Sequence, residues 1–243
     1  MIYSNDEITS FILQAKSKDD EDLRDIDIDN FIDMMCNLNA TDFNINSSMS
    51  IAVVGNSGTI LDNEYGSMID DHDYVMRFNL GRVEGFEKSV GSKTDFRVIA
   101  AKSFYYGTLP GYEGFDYNYL STRTGERFFI RPAFGNESSL MGPCCKNYSH
   151  GKINLHLLSN NFVSYWDHKY SSTLSVGILG IIMATKLFKH VSLFGFDSWQ
   201  SGQDKTHYFE KVTHDATKNS HDNNNEKRII EQLISENKVI RHA

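Results

Sequence analysis

Two sets of residues in this chain could act on a phosphate or move a proton. The first is the tetrapeptide Gly55-Asn56-Ser57-Gly58, directly after the apolar run Ser50 to Val54. A buried strand stopped by glycines delivers a loop whose backbone N–H groups can meet an anion, and Asn56 adds an amide that both donates and accepts. The same spacing serves plain turn geometry in many folds, so the tetrapeptide alone leaves the choice open. Two common nucleotide motifs are excluded. Thr59, Ile60 and Leu61 follow Gly58 with no third glycine in register, and no Gly-Lys-Ser/Thr follows for a triphosphate loop. The second set is the imidazoles, which titrate near neutral pH and can serve as bases. With nine in the chain, a structural role is the default for each, including His72, His150, His156, His168, His190 and His242. The alternation at Asp25 to Asp29 has Asp-x-Asp spacing, but it follows no buried strand and reads as an exposed acidic helix start.

The elements around these groups read as α/β. Ser50 to Val54 is β-branched and apolar throughout, as a strand of a parallel sheet covered on both faces should be. Further strands are predicted at Tyr74 to Phe78, Phe96 to Ala100, Phe128 to Arg131 and Val191 to Gly195. Helices are predicted near Gly177 to Phe188 and Glu226 to Asn237. Strands alternating with helices imply a mainly parallel sheet flanked by helices. Residues 1–48 differ: Ser4 and Glu7 have capping-box spacing, followed by Ile8, Phe11, Ile12 and Ala15 at helical intervals. They read as a helical N-terminal extension, and the main domain as 49–243.

The chain has 243 residues, 40% hydrophobic, and a net charge of −8. It is long enough for one large domain, and its charge argues against a broad nucleic-acid-binding face. The cysteines Cys36, Cys144 and Cys145 make a poor disulfide framework, because they are odd in number and two are adjacent. With no signal-peptide pattern in the opening residues and no apolar run long enough to span a bilayer, a reducing, cytoplasmic location is expected.

The longer string IAVVGNSGTILDNEYGSMIDDHDYVMRFN, from Ile51 to Asn79, resembles the large sialylmotif of the eukaryotic-type sialyltransferases, and Val90-Gly91-Ser92-Lys93-Thr94 continues the likeness. Leu174-Ser175-Val176-Gly177, with the apolar segment after it, resembles the small motif. His207-Tyr208-Phe209-Glu210 resembles the third motif, and His221 with Glu226 has the spacing of the very short one. All four follow the family's order. Ile51 and Phe188 stand where the family's two motifs are joined by a disulfide, so two apolar side chains would pack in its place. Leu174 and Val176 replace the commoner Pro and Thr.

The resemblance implies a GT-A-like, Rossmann-like variant that transfers sialic acid from CMP-sialic acid with inversion, without a metal or other cofactor. CMP-Kdo is the nearest alternative donor, and a non-catalytic nucleotide- or glycan-binding module is the alternative of another class. It further implies donor contacts from Asn56, Ser57, Gly58, Asn79, Ser175, Val176 and Gly177. His221 would be the general base, with Glu226 beside it, and His207 would bond the departing phosphate; His214 is the substitute candidate for either. A glycan or glycolipid would be the acceptor, and a lipid-linked one would bring peripheral membrane association. Arg77 and Lys93 read as structural, paired with Asp70, Asp71, Asp73 or Asp95, rather than as phosphate ligands. Acceptor choice would depend on the unmatched stretch between Gly107 and Tyr170, in or beside which Tyr105, Tyr106, Tyr112, Tyr117 and Trp166 either stack on a sugar or simply pack.

Overall fold

The computed structural model describes residues 48–100, 122–123, 125–131, 154–158, 160–196, 207–209 and 222–242. Seven strands form one sheet: β1 (Ser50–Val54), β2 (Tyr74–Phe78), β3 (Phe96–Ala100), β4 (Arg127–Arg131), β5 (Asn154–Leu157), β6 (His190–Phe194) and β7 (Ile240–His242). Their order is β5-β4-β3-β2-β1-β6-β7, and each pairing is parallel. The order runs one way from β1 to β5 and the other way through β6 and β7, so it reverses between β1 and β6. At such a reversal the chain leaves neighbouring strands toward opposite faces, and open α/β sheets bind ligands in the crevice this creates.

The predicted α/β class is what the chain adopts. β1, β2 and β3 have their predicted bounds, and β4 and β6 each begin one residue earlier than predicted. β6 stops at Phe194 because Gly195 turns into the left-handed region, with φ 67°. β5 and β7 were not predicted. Asn-Leu-His-Leu and Ile-Arg-His are too short and too polar to carry a strand pattern, and their pairing is imposed by β4 and β6.

Five α-helices are described: α1 (Gly66–Asp70), α2 (Glu87–Val90), α3 (Asn160–Lys169), α4 (Val176–Leu187) and α5 (Asn223–Ser235). On one face of the sheet, Phe162 and Trp166 of α3, Ile178 and Ile182 of α4, and Ile229 and Ile230 of α5 join Ile51, Val53, Met76 and Val98 in one core. Ala52, Val54, Val75 and Phe194 point the other way and meet Ile60, Ile69, Val90 and Tyr208. Successive β1 residues thus enter opposite cores, which is why the strand reads as apolar without alternation. α4 lies close against β2: a Cβ on Gly180 would come within 2.4 Å of the Phe78 ring. Ile51 and Phe188 belong to the same core, with the Phe188 ring packed on Tyr74 and Phe96. The expected N-terminal helices, the acidic Asp25 to Asp29 run and all three cysteines lie outside the described residues.

Candidate functional site

The crevice is built on two glycines. Gly55 leaves β1 and Gly195 leaves β6, and a Cβ on Gly55 would sit 2.3 Å from the Gly195 carbonyl oxygen. Gly55 N–H donates to the Phe194 carbonyl at 2.7 Å, and Ser57 N–H to the Gly195 carbonyl at 3.2 Å. The sequence suggested that the N–H groups of this loop stand free for a phosphate. These two do not, because they seal the loop to β6. Ser57 is buried; its hydroxyl meets Thr59 Oγ1 at 2.8 Å and caps the 3-10 turn that Gly58 opens. Its side chain fixes the loop rather than facing a ligand.

Asn56 is the junction between segments distant in sequence. Its side-chain amide donates to the Phe78 carbonyl at 3.2 Å, at the end of β2. Its backbone carbonyl accepts from Tyr208 N–H at 3.0 Å, which brings the segment 207–209 onto the loop. Tyr208 is buried, and its hydroxyl donates to the Arg82 carbonyl. His207 is half-buried beside it, with its ring stacked on Phe209. Asn79 has φ 45°, a conformation asparagine tolerates better than most residues. It is stitched to β3 at both ends: its N–H donates to the Val98 carbonyl and its side-chain oxygen accepts from Ala100 N–H, each at 3.0 Å. Arg97, fully buried, is paired with Glu126 and donates to the carbonyls of Asn79 and Gly81.

The fourth wall is the start of α4. Ser175 is its N-cap, and its hydroxyl accepts from Ile178 N–H at 3.2 Å. Such a helix start favours an anion. Gly177 packs against the Phe196 ring just beyond β6, so this helix start adjoins the Gly195 turn. Val176 is turned into the core, leaving only its backbone for a ligand. Glu226, in the first turn of α5, accepts from both Ser175 N–H and its hydroxyl. It is 6% exposed, and burial pushes its carboxyl above the ordinary value while the two Ser175 bonds pull the other way. The sequence grouped Glu226 with His221, which lies outside the described residues; among the described residues the carboxylate accepts from Ser175. In the last turn of α3, Asp167 accepts from Leu174 N–H and from Arg131 at the end of β4.

Arg77 and Lys93 take structural roles chiefly through bonds to oxygens of the backbone and Thr94, while Asp70 feels the charge of Arg77, and Asp73 and Asp95 that of Lys93. Arg77 is buried and donates to Thr94 Oγ1 and to the carbonyls of Val90 and Lys93. Lys93 donates to the carbonyls of His72 and Asp73. Among the acids suggested as their partners, Asp70 accepts from the N–H groups of Ser92 and Lys93, Asp73 from Ser50, and Asp95 from Val75. Trp166 is 4% exposed in the core against Phe162, Tyr165 and Tyr170, and so does not present a face to a sugar. His221, His214, Glu210, Tyr105, Tyr106, Tyr112 and Tyr117 lie outside the described residues. Asp222, next to His221, caps α5 through Asn225 N–H.

Sequence reading missed Arg97, Glu126, Asp167 and Arg131. For Arg97 a signal existed: an arginine inside the buried run Phe96 to Ala100 must have a partner. Glu126, 29 residues later, could not have been identified from the sequence.

Residues 19–122 and 146–238 match the family described as glycosyltransferase family 29 (sialyltransferase). The match begins inside the stretch expected to be an extension. A pig protein named CMP-N-acetylneuraminate-beta-galactosamide-alpha-2,3-sialyltransferase 1 is 28% identical over 77% of this chain and 56% of its own. A mouse alpha-N-acetylgalactosaminide alpha-2,6-sialyltransferase 2 is 26% identical over 68% of this chain and 52% of its own. A beta-1,6-galactosyltransferase, GALT29A, of Arabidopsis thaliana is 55% identical, but over only 21% of this chain and 13% of its own. The crystal structure of a mammalian sialyltransferase superposes with a TM-score of 0.58 at 26% identity, over 81% of this chain and 69% of that one. The chain spans about half the length of the pig and mouse relatives. The expected cytoplasmic location is overturned, because the relatives include animal sialyltransferases, which are typically Golgi luminal enzymes. No described helix is long and apolar enough to cross a membrane, and that fact does not assign a compartment.

Proposed function

Because this chain belongs to glycosyltransferase family 29, the sialyltransferase family, we propose that it transfers sialic acid from CMP-sialic acid to a glycan hydroxyl. The observation that carries the reading is the bond from Tyr208 N–H to the Asn56 carbonyl. It sets a histidine against the Gly-rich loop at the strand-order reversal, which the N-terminus of α4 also adjoins. An imidazole donor and a helix start are groups suited to holding a phosphate.

In this reading the CMP moiety lies over the loop 55–58 and the Asn79 turn. The leaving phosphate takes a proton donor from His207 and the partial positive charge of the α4 start. Transfer is a single displacement with oxocarbenium character at the sugar. The acceptor oxygen forms the new glycosidic bond as its proton passes to His221, the bond to the CMP phosphate breaks, and the anomeric centre inverts. Glu226 acts through Ser175, holding the helix start in place. The relatives' names put both a β-galactosamide and an N-acetylgalactosaminide on the acceptor side, so glycans ending in galactose or N-acetylgalactosamine are the first acceptors to offer.

A second donor is favoured by the Arabidopsis relative, whose name specifies galactosyl transfer. The test is nucleotide release from CMP-sialic acid, CMP-Kdo and UDP-galactose, each with and without these acceptors. Acceptor-dependent CMP release from CMP-sialic acid alone supports the proposal. Release from CMP-Kdo or UDP-galactose alone reassigns the donor, and CMP binding with no release under any condition makes this a binding module.

A further inference from the structure

We propose that Arg97 is a positioning residue for the donor site, and that its buried pairing with Glu126 exists to shape the turn carrying Asn79. The inference rests on the reading that a CMP-linked donor occupies this edge of the sheet.

Arg97 is 0% exposed and Glu126 5%. The guanidinium meets the carboxylate with two N–H groups, Nε to Oε2 at 2.5 Å and Nη2 to Oε1 at 3.1 Å. Its third nitrogen, Nη1, donates to the Asn79 carbonyl at 2.9 Å and the Gly81 carbonyl at 3.1 Å. One side chain therefore fixes two carbonyls on either side of Leu80. The turn it holds is tight. Gly81 N–H donates back to the Phe78 carbonyl at 2.9 Å, and a Cβ on Gly81 would sit 2.8 Å from Asn56 Oδ1. The Phe78 carbonyl that closes the turn also receives the Asn56 amide, and Tyr208 reaches from Asn56 to Arg82 just past the turn. Moving Gly81 therefore disturbs Asn56, Asn79 and the His207 segment together.

A buried ion pair is weak evidence for stability. Its desolvation offsets its attraction, and apolar residues of similar volume often replace it without loss of stability. What apolar residues cannot supply is a rigid fork of donors aimed at two backbone carbonyls. Shape of the turn is what Arg97 contributes beyond packing.

The test uses Arg97→Met/Glu126→Met, which removes both charges at similar volume, together with Arg97→Lys. Melting temperature, amide hydrogen exchange and calorimetric CMP binding are measured on each. Positioning predicts a double variant that melts near wild type, with exchange at Gly81, Ala100 and Tyr208 at least about tenfold faster and protection kept at Val53. It also predicts CMP affinity weakened about tenfold, roughly the contribution of one hydrogen bond to a charged partner. Arg97→Lys, a single point donor, should fall between the two. Unchanged exchange at those three amides overturns the proposal, as does uniform loss of protection with a matching fall in melting temperature. If the double variant fails to fold, Arg97→Lys decides by the same readings. A wild-type chain that binds no CMP removes the donor reading, while the exchange rates still decide whether Arg97 sets the turn.

Discussion

Glu226 takes both donors of Ser175, the backbone N–H at 2.8 Å and the hydroxyl at 3.1 Å, and so ties the first turn of α5 to the cap of α4. The same serine oxygen accepts from Ile178 N–H, so one carboxylate orients the whole helix start. Glu226→Ala leaves two part-buried donors without their acceptor and should cost about 1–3 kcal/mol. Glu226→Gln keeps an oxygen for the N–H and should cost less. Urea unfolding of both variants checks the order, and equal losses would count against the bonds as the cause.

The same carboxyl gives a pH signature. Burial raises its folded-state pKa above the ordinary 4.5, so the folded protein binds the proton more tightly than the unfolded chain does. Its contribution to stability is fully present below that ordinary value and is lost as pH rises through the raised one. Glu226→Gln lacks this titration. Measured at pH 4 and pH 7, the stability difference between variant and wild type should shift in favour of the variant at the higher pH. A difference independent of pH would show that Glu226 is not raised.

Gly55 is the backbone contact on which the crevice depends. In Gly55→Ala the new methyl meets the Gly195 carbonyl, a backbone atom with no room to retreat while Gly55 N–H and Ser57 N–H hold β6 in place. Overpacking of this kind costs about 1–3 kcal/mol, and separating the strand ends should also weaken CMP binding. A variant with wild-type melting temperature and CMP affinity would mean that the two turns can part freely.

How far the sequence disclosed this arrangement depends on whether the relevant interaction is local. Ser50 to Val54 and Tyr74 to Phe78 declare themselves because both faces of each strand are buried and the residues show it. Ser175 and Asn56 stand out because a helix cap and a Gly-rich turn are short-range devices. β7 could not be read, since three residues pair only because β6 is already there. Nor could the Glu226–Ser175 bond, which joins residues 51 apart, although the sequence did single out both. At Gly55 and Ser57 the reading of free loop N–H groups failed for a related reason: the loop was judged alone, without the neighbouring strand end that takes these two donors.

Transfer should not depend on a divalent cation. The loop 55–58 carries no carboxylate to ligate a metal, and in the proposed reading the phosphate charge falls to His207 and the α4 start. Rates should be unchanged after dialysis against excess EDTA. Loss of activity with chelator, restored by manganese or magnesium, would overturn this reading of the leaving group.

The final prediction separates two histidines by what each faces. His221→Ala should lower turnover by about 10²–10⁴-fold, the range for removing a general base, and leave CMP affinity near wild type, because the base serves the acceptor. His207→Ala should weaken CMP binding as well as slow transfer, because the segment that carries it is bonded to the Asn56 carbonyl through Tyr208 N–H. Asn56→Ala should behave like His207→Ala, since its amide ties the loop to the Phe78 carbonyl at the Asn79 turn. Calorimetry with CMP and steady-state rates on the three variants give the comparison. Near-normal turnover in His221→Ala would remove it as the base and make His214 the next histidine to replace. Unchanged CMP affinity in both His207→Ala and Asn56→Ala would move the nucleotide away from this edge of the sheet.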